Sequence, residues 1–458
     1  MRPIMKNIYI FFSILLSANT LSAQTNMPGY EKYKLKNKMQ VVFMDYGSLP
    51  VTNVRLYINT GRKNETPGMQ DISRLTAEAL LLGNEKYTRV QQDSLKYIMG
   101  ASLTSGSNDS YTSLDMQFLD KDVDMAMDLF SDIVLKPSFP KDEVGEMIHE
   151  TIAYNTPAKM NANQLAGIFA NFCVFGAGNP LGRHFYAAQL NKITADQMHE
   201  YYKFNFTPKN CIMVVCGKPD KDKMKALIEK YFGGWEAAFG ENNGVSLPEP
   251  DISKKEYAFV NRSNGTQSTL TWIKKAPEVG SKDQLAFELA NEIFSQMLFK
   301  QIREKEGKTY GIGTQFSEDN NNGTYLAATS VRNEVMLGTI QSFDKILKQY
   351  YDSGAPQEIF EIAKAQFTAN LKRAETPGQI MEIFNPQLYP DFEKRKKYLL
   401  GFESIDREQV NKIVKKYFKP DNYKMVVAGN EKDLEPQLSQ IPGLVRMPIT
   451  AIEVDDAK

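Results

Sequence analysis

Apolar and polar positions along this chain fall into two successive runs of the same kind. Val51–Thr60 (VTNVRLYINT) and Thr269–Lys274 (TLTWIK) alternate apolar with polar residues, the period-two pattern of a half-buried strand. Each is followed by a stretch with helical spacing, Asp71–Leu82 and Asp283–Arg303. Polar strand pairs come next. Ala101–Leu119 turns at Gly106–Asp109, and Tyr310–Ser330 turns at Asp319–Gly323, where Asn, Asp and Gly supply the turn chemistry. Long amphipathic helices follow. Val123, Met127, Phe130 and Val134 line one face of Val123–Val134, and Val335, Ile340, Phe343 and Leu347 line one face of Val335–Leu347. Pro140 and Pro356 then precede further helices, Asp142–Tyr154 and Gln357–Arg373.

The two runs are a duplication. The pattern P-x-N-x-x-M-V-V-x-G occurs at Pro208–Gly217 and again at Pro420–Gly429, 212 residues later. Each copy follows an aromatic helix end, Tyr201-Tyr202 and Tyr417-Phe418. Internal repetition on this scale sets the architecture. The expected fold is α+β, with two homologous halves. Each is a mostly antiparallel sheet backed by helices, and the pair closes around a central cavity, the default place for a ligand. The halves are residues 28–240 and 256–440. Between them lies a linker, 241–255, within the Gly-, Asn- and Pro-rich run Phe239–Lys255, and a tail follows over 441–458.

Composition adds exclusions. Lysine plus arginine equals aspartate plus glutamate at 55 each, so no basic field exists to hold nucleic acid or an anionic membrane. Residues 1–23 carry Arg2 and Lys6, the apolar run Ile8–Leu16 and small residues at Ser22-Ala23, the signature of a cleaved signal peptide. The apolar run is too short to span a bilayer, so the mature chain is expected to be exported to the periplasm without stable membrane insertion. Cys173, Cys211 and Cys216 form neither a disulfide framework nor a C-x-x-C pair; Cys211 and Cys216 point to opposite faces of one strand.

Several landmarks then point one way. They are Gly61–Glu65 (GRKNE) with Pro67-Gly68, Leu80–Gly83 (LLLG), Gly100–Ser105 (GASLTS), Asn179–Arg183 (NPLGR) and Arg303–Tyr310 (REKEGKTY). Together they resemble the pitrilysin/insulinase family of zinc peptidases, which includes mitochondrial processing peptidase. The resemblance covers nearly all of residues 28–440 and implies two α+β halves. It also implies that GASLTS is the edge strand on which extended peptide docks, and that Arg303 and Tyr310 are the R-x6-Y segment facing the metal across the cavity. There an arginine fork holds a peptide carbonyl and the tyrosine hydroxyl donates to the oxyanion.

The metal helix departs from the family pattern. Active members carry H-x-x-E-H, two histidines on one helix face with a glutamate as general base. Counting back from Gly83, those positions hold Arg74, Ala77 and Glu78, and no histidine occurs in residues 1–148. The family's later glutamate pair matches Glu143 and Glu150, so one relic carboxylate remains while both imidazoles and the base are gone. An ion pair of Arg74 with Glu150 or with Glu78 is expected in place of a metal. His149, His184 and His199 have no histidine or cysteine partner at i+3 or i+4, so no metal and no cofactor is expected on this chain. The resemblance implies instead that zinc sits on a partner, a homologous exported subunit with an intact H-x-x-E-H. This chain would supply the Arg/Tyr half of a peptidase acting on unstructured peptides. The alternatives are a peptide-binding or scaffold protein of the same fold, and a self-sufficient peptidase with a displaced site. Structurally, the alternative for Arg303 is a pair with Glu306, and for Tyr310 packing at a strand start.

Overall fold

The repeated M-V-V-x-G strand lies near the centre of each of two six-stranded sheets. A computed structural model describes residues 28–66, 68–156, 159–184, 187–236, 250–263, 265–316, 323–372 and 376–452. Residues 1–23, read above as a signal peptide, residues 241–249 of the expected linker and residues 319–322 of the expected turn lie outside these. The first sheet runs, in spatial order, β1 (Gly29–Lys34), β2 (Gln40–Asp45), β6 (Cys211–Gly217), β3 (Val51–Ile58), β5 (Thr112–Leu119) and β4 (Ser102–Ser107). The second runs β12 (Val445–Met447), β7 (Glu256–Asn261), β11 (Lys424–Gly429), β8 (Gln267–Lys275), β10 (Thr324–Arg332) and β9 (Thr309–Phe316).

The registers repeat as well. β6 runs parallel to β2 and antiparallel to β3; β11 runs parallel to β7 and antiparallel to β8. Met213 faces Leu56 across one pair, and Met425 faces Trp272 across the other. Both sheets are mostly antiparallel, as the alternation predicts, and each repeat strand makes one parallel pairing. The segment read as a C-terminal tail adds β12, parallel to β7.

Burial on both sides explains the unbroken apolar run in the repeat. Met213 and Val215 join one core while Val214 and Cys216 join another on the opposite face. Cys211 lies with the first group and Cys216 with the second, as their spacing requires. Gly217 closes the strand at φ +147°, and a Cβ there would sit 2.7 Å from the Val51 carbonyl oxygen, so no larger residue fits.

Each half covers one face of its own sheet with its own helices. On half one these include Ile72–Ala79, Val123–Leu135, Ala195–Asn205 and Lys221–Phe232. On half two they include Gln284–Leu298, Met336–Ser353 and Arg407–Tyr417. There Trp272 stacks on Phe343 at 4.1 Å between ring centroids.

The other faces are covered by exchange. Helix Ala162–Phe175 of half one lies on the second sheet, packing Leu165 and Phe169 against Ala258, Val260, Val426 and Ala428. Helices Pro377–Ile383 and Phe392–Leu400 of half two lie on the first sheet, packing Ile380, Met381, Phe392 and Leu399 against Val42, Met44, Tyr57 and Val214. Polar contacts fix both crossings. Thr269 Oγ1 donates to Asn163 Oδ1 at 2.5 Å, and Asn385 Nδ2 donates to the Tyr111 hydroxyl at 2.9 Å. The halves are therefore interlocked.

Candidate functional site

The helix expected to bear a metal is short, Ile72–Ala79, and is tied at both ends of its polar face. Its first turn leaves backbone N–H groups without helical partners. Glu65, from the GRKNE landmark, satisfies two of them. Its carboxylate accepts from Asp71 N at 2.8 Å, Ser73 N at 3.1 Å and Ser73 Oγ at 2.5 Å. This role was not legible beforehand, because Glu65 lies six residues before Asp71 and outside the helix. Burial of the whole side chain pushes its carboxyl up to about 7, with the nearby Asp71 charge adding to the rise. An acid raised in the folded state favours protonated protein. Glu65 therefore contributes stability below about pH 4.5, its ordinary value, that is lost as pH rises to about 7. Denaturation midpoints measured across that window should fall with increasing pH, and the Glu65→Gln variant should flatten that part of the profile. An unchanged slope in the variant would rule the group out.

Arg74 occupies the first histidine position. Its guanidinium donates Nε to Asp71 Oδ1 at 2.9 Å, pairs again with Asp71 through Nη2, and donates Nη1 to Glu78 Oε1 at 2.5 Å. Of the two pairings expected for Arg74, the one with Glu78 forms. Asp71 adds a clamp at i−3 that sequence reading missed although the spacing is helical. Ala77, at the position of the base, is wholly buried. Glu150 lies exposed on helix Lys141–Asn155, without an ion-pair partner among the described residues. Glu143, on the same helix, keeps a buried Oε2 with no hydrogen-bond donor among those residues.

This donor set does not fit zinc. A guanidinium held by two carboxylates fills the face where two imidazoles would converge. Among the described residues no three His, Cys, Asp or Glu side chains are grouped to hold a metal ion. His149 is exposed, and His199 packs its ring against Phe139 at 5.6 Å. Burial and nearby Arg62 push His184 down to about 4.

The R-x6-Y segment is built differently. Helix Gln284–Leu298 continues into a wider helical turn, Phe299–Lys305, in which Glu306 N reaches back to Gln301 O at 3.0 Å. Such widened turns recur at functional sites. Gly307 then takes φ +61° and reverses the chain into β9. Lys308 anchors the reversal, donating to Gly338 O at 2.8 Å and Ser342 Oγ at 2.9 Å.

Glu306 is consumed locally. It pairs with Lys308 at 2.7 Å and accepts from Ser342 Oγ at 2.7 Å and Gln301 Nε2 at 2.8 Å. The Arg303–Glu306 pair does not form. Arg303 is half-buried and has no ion-pair partner among the described residues, and its Cζ lies 6.0 Å from the Tyr310 ring centroid. Tyr310 does not pack at its strand start; it is 87% exposed. The geometry thus leaves a guanidinium fork and a phenol side by side at an open surface, both with free donors.

Comparison with known proteins adds lineage. Residues 40–166 match the model described as insulinase (peptidase family M16), and residues 192–367 match the one described as peptidase M16 inactive domain. The chain is 25% identical over 354 residues to an uncharacterized zinc protease, YmxG, of Bacillus subtilis, covering 74% of this chain and 83% of that one. It is 22% identical over 368 residues to cytochrome b-c1 complex subunit 1, mitochondrial, of Caenorhabditis elegans, covering 75% of each. A solved peptidase M16 inactive domain from Pseudomonas fluorescens superposes with a TM-score of 0.79 at 19% identity, over 88% of this chain and 98% of that one.

Proposed function

Because this chain belongs to the insulinase family of M16 peptidases, we propose that it is the Arg/Tyr subunit of a two-chain zinc peptidase. The observation that carries this reading is a contrast between its two halves. Arg74 is spent on Asp71 and Glu78, whereas half-buried Arg303 and exposed Tyr310 lie side by side. A merely inherited pair would be expected to acquire local partners, whereas Arg303 makes no ion pair among the described residues.

The partner is a homologous exported chain with an intact H-x-x-E-H, and its zinc supplies the activated water. On this chain the Arg303 fork grips a carbonyl of an extended peptide. The Tyr310 hydroxyl donates to the oxygen that gains charge as the scissile carbonyl becomes tetrahedral. Residues 1–23 fit export to the periplasm, and among the described residues no helix is long and apolar enough to cross a membrane.

Reconstitution tests this. The purified chain should hold sub-stoichiometric zinc and cleave no unstructured peptide by itself, and cleavage should appear on mixing with an H-x-x-E-H homologue. Stoichiometric zinc that is lost on Glu150→Ala, or cleavage by the chain alone, would overturn the assignment. A second reading, a scaffold of the same fold, is favoured by the likeness to the Caenorhabditis elegans complex subunit. It predicts partner or peptide binding with cleavage in no combination.

A further inference from the structure

The duplication has a second consequence for the segment that carries Arg303. Pro140 and Pro356 open equivalent helices, and Glu150 and Gln366 each lie ten residues beyond. In half one, helix Lys141–Asn155 packs against the clamped helix of Arg74. In half two, helix Gln357–Lys372 packs against helix Gln284–Leu298. There the repeat of the degenerate metal cleft is an open pocket of about 470 Å³, with Gln366 in its lining.

The pocket begins where the widened turn begins. Phe299, Ile312, Ile359 and Ile362 give it apolar walls. Phe299 is 40% exposed and Ile362 44% exposed, and Tyr310 is two residues from Ile312 along β9. Large apolar side chains left open beside an unpaired arginine and tyrosine mark a contact surface.

Its charge is mainly negative, with three carboxylates in the lining against the ammonium of Lys300. Glu292 and Glu304 line it without an ion-pair partner among the described residues; Glu292 accepts from Gln296 Nε2 at 2.9 Å. A third carboxylate, Glu358, reaches Lys300 only at 4.0 Å, with Glu358 largely in water and Lys300 half exposed. Apolar walls under a carboxylate rim suit a side chain with a hydrocarbon stem and a cationic end. We propose that this pocket receives a lysine or arginine side chain of the bound peptide and so selects basic substrates. The proposal rests on the peptide-binding reading above.

The test uses the mature full-length chain, alone and with its partner, and a fluorescein-labelled unstructured peptide. One residue of the peptide is lysine, norleucine or glutamate, and anisotropy reports affinity. The lysine peptide should bind about fivefold tighter than the norleucine peptide at low salt, and the gap should narrow as salt rises. The double variant Glu292→Gln, Glu304→Gln should bind both peptides equally. Equal affinities in the wild type, or a lysine preference that survives in the variant, would overturn the pocket assignment. If binding then still falls on Arg303→Ala, the broader reading stands without the pocket. If no peptide binds under any condition, both fall.

Discussion

Replacing Tyr310 with phenylalanine should lower kcat of the reconstituted pair by about 10²–10³-fold, the usual cost of one oxyanion donor. KM should change little, since the hydroxyl is useful mainly once charge has developed on the carbonyl oxygen. Arg303→Ala should act differently. On the proposed reading the guanidinium grips the substrate backbone before and during reaction, so KM should rise as well as kcat fall. Neither variant should unfold the chain. Tyr310 is 87% exposed and Arg303 makes no ion pair among the described residues, so their contribution to stability is small. The comparison is therefore clean: steady-state kinetics of the mixture, with thermal melting of the isolated chain as the control. If both variants supported wild-type cleavage, the two residues would be relics and the scaffold reading would take over.

The second large effect concerns the exchanged helices. Phe169 is wholly buried, yet it belongs to half one and packs on the sheet of half two. Phe169→Ala should cost about 3–5 kcal/mol, the range for truncating a core phenylalanine. The two tryptophans allow a sharper reading. Trp235 packs against the core of half one, and Trp272 is buried in half two, stacked on Phe343. Each half thus carries its own fluorescent reporter, separable by single Trp→Phe variants. In wild type the two reporters should share one urea midpoint, and in Phe169→Ala both midpoints should shift together. Independent midpoints would show that the crossings do not couple the halves.

Much of this was legible from residues alone, for identifiable reasons. Strands such as Val51–Ile58 have one face on a core and one on a mixed surface, so alternation revealed them. The duplication was legible because the central strand is buried on both faces and tolerates few residue types. The crossings were not legible. A helix such as Ala162–Phe175 presents an apolar stripe that any sheet would accept, and nothing local says which sheet takes it. Around Arg74, the Glu78 pair followed from helical spacing. The Glu65 anchor depends on a turn that brings its carboxylate back onto the helix, a geometry that pattern does not encode. The widened turn at Phe299–Lys305 left no mark on periodicity, because its buried positions reduce to Ile302.

The crossings also order events in time. β6 arrives on the ribosome long after β2 and β3, so the first sheet assembles late within half one. Even then its far face, with Val42, Met44, Tyr57 and Val214, has no cover until residues 377–400 have been made. A nascent chain that has finished the first half thus carries an apolar surface whose partner does not yet exist. Such a chain is a natural client for a holding chaperone during synthesis.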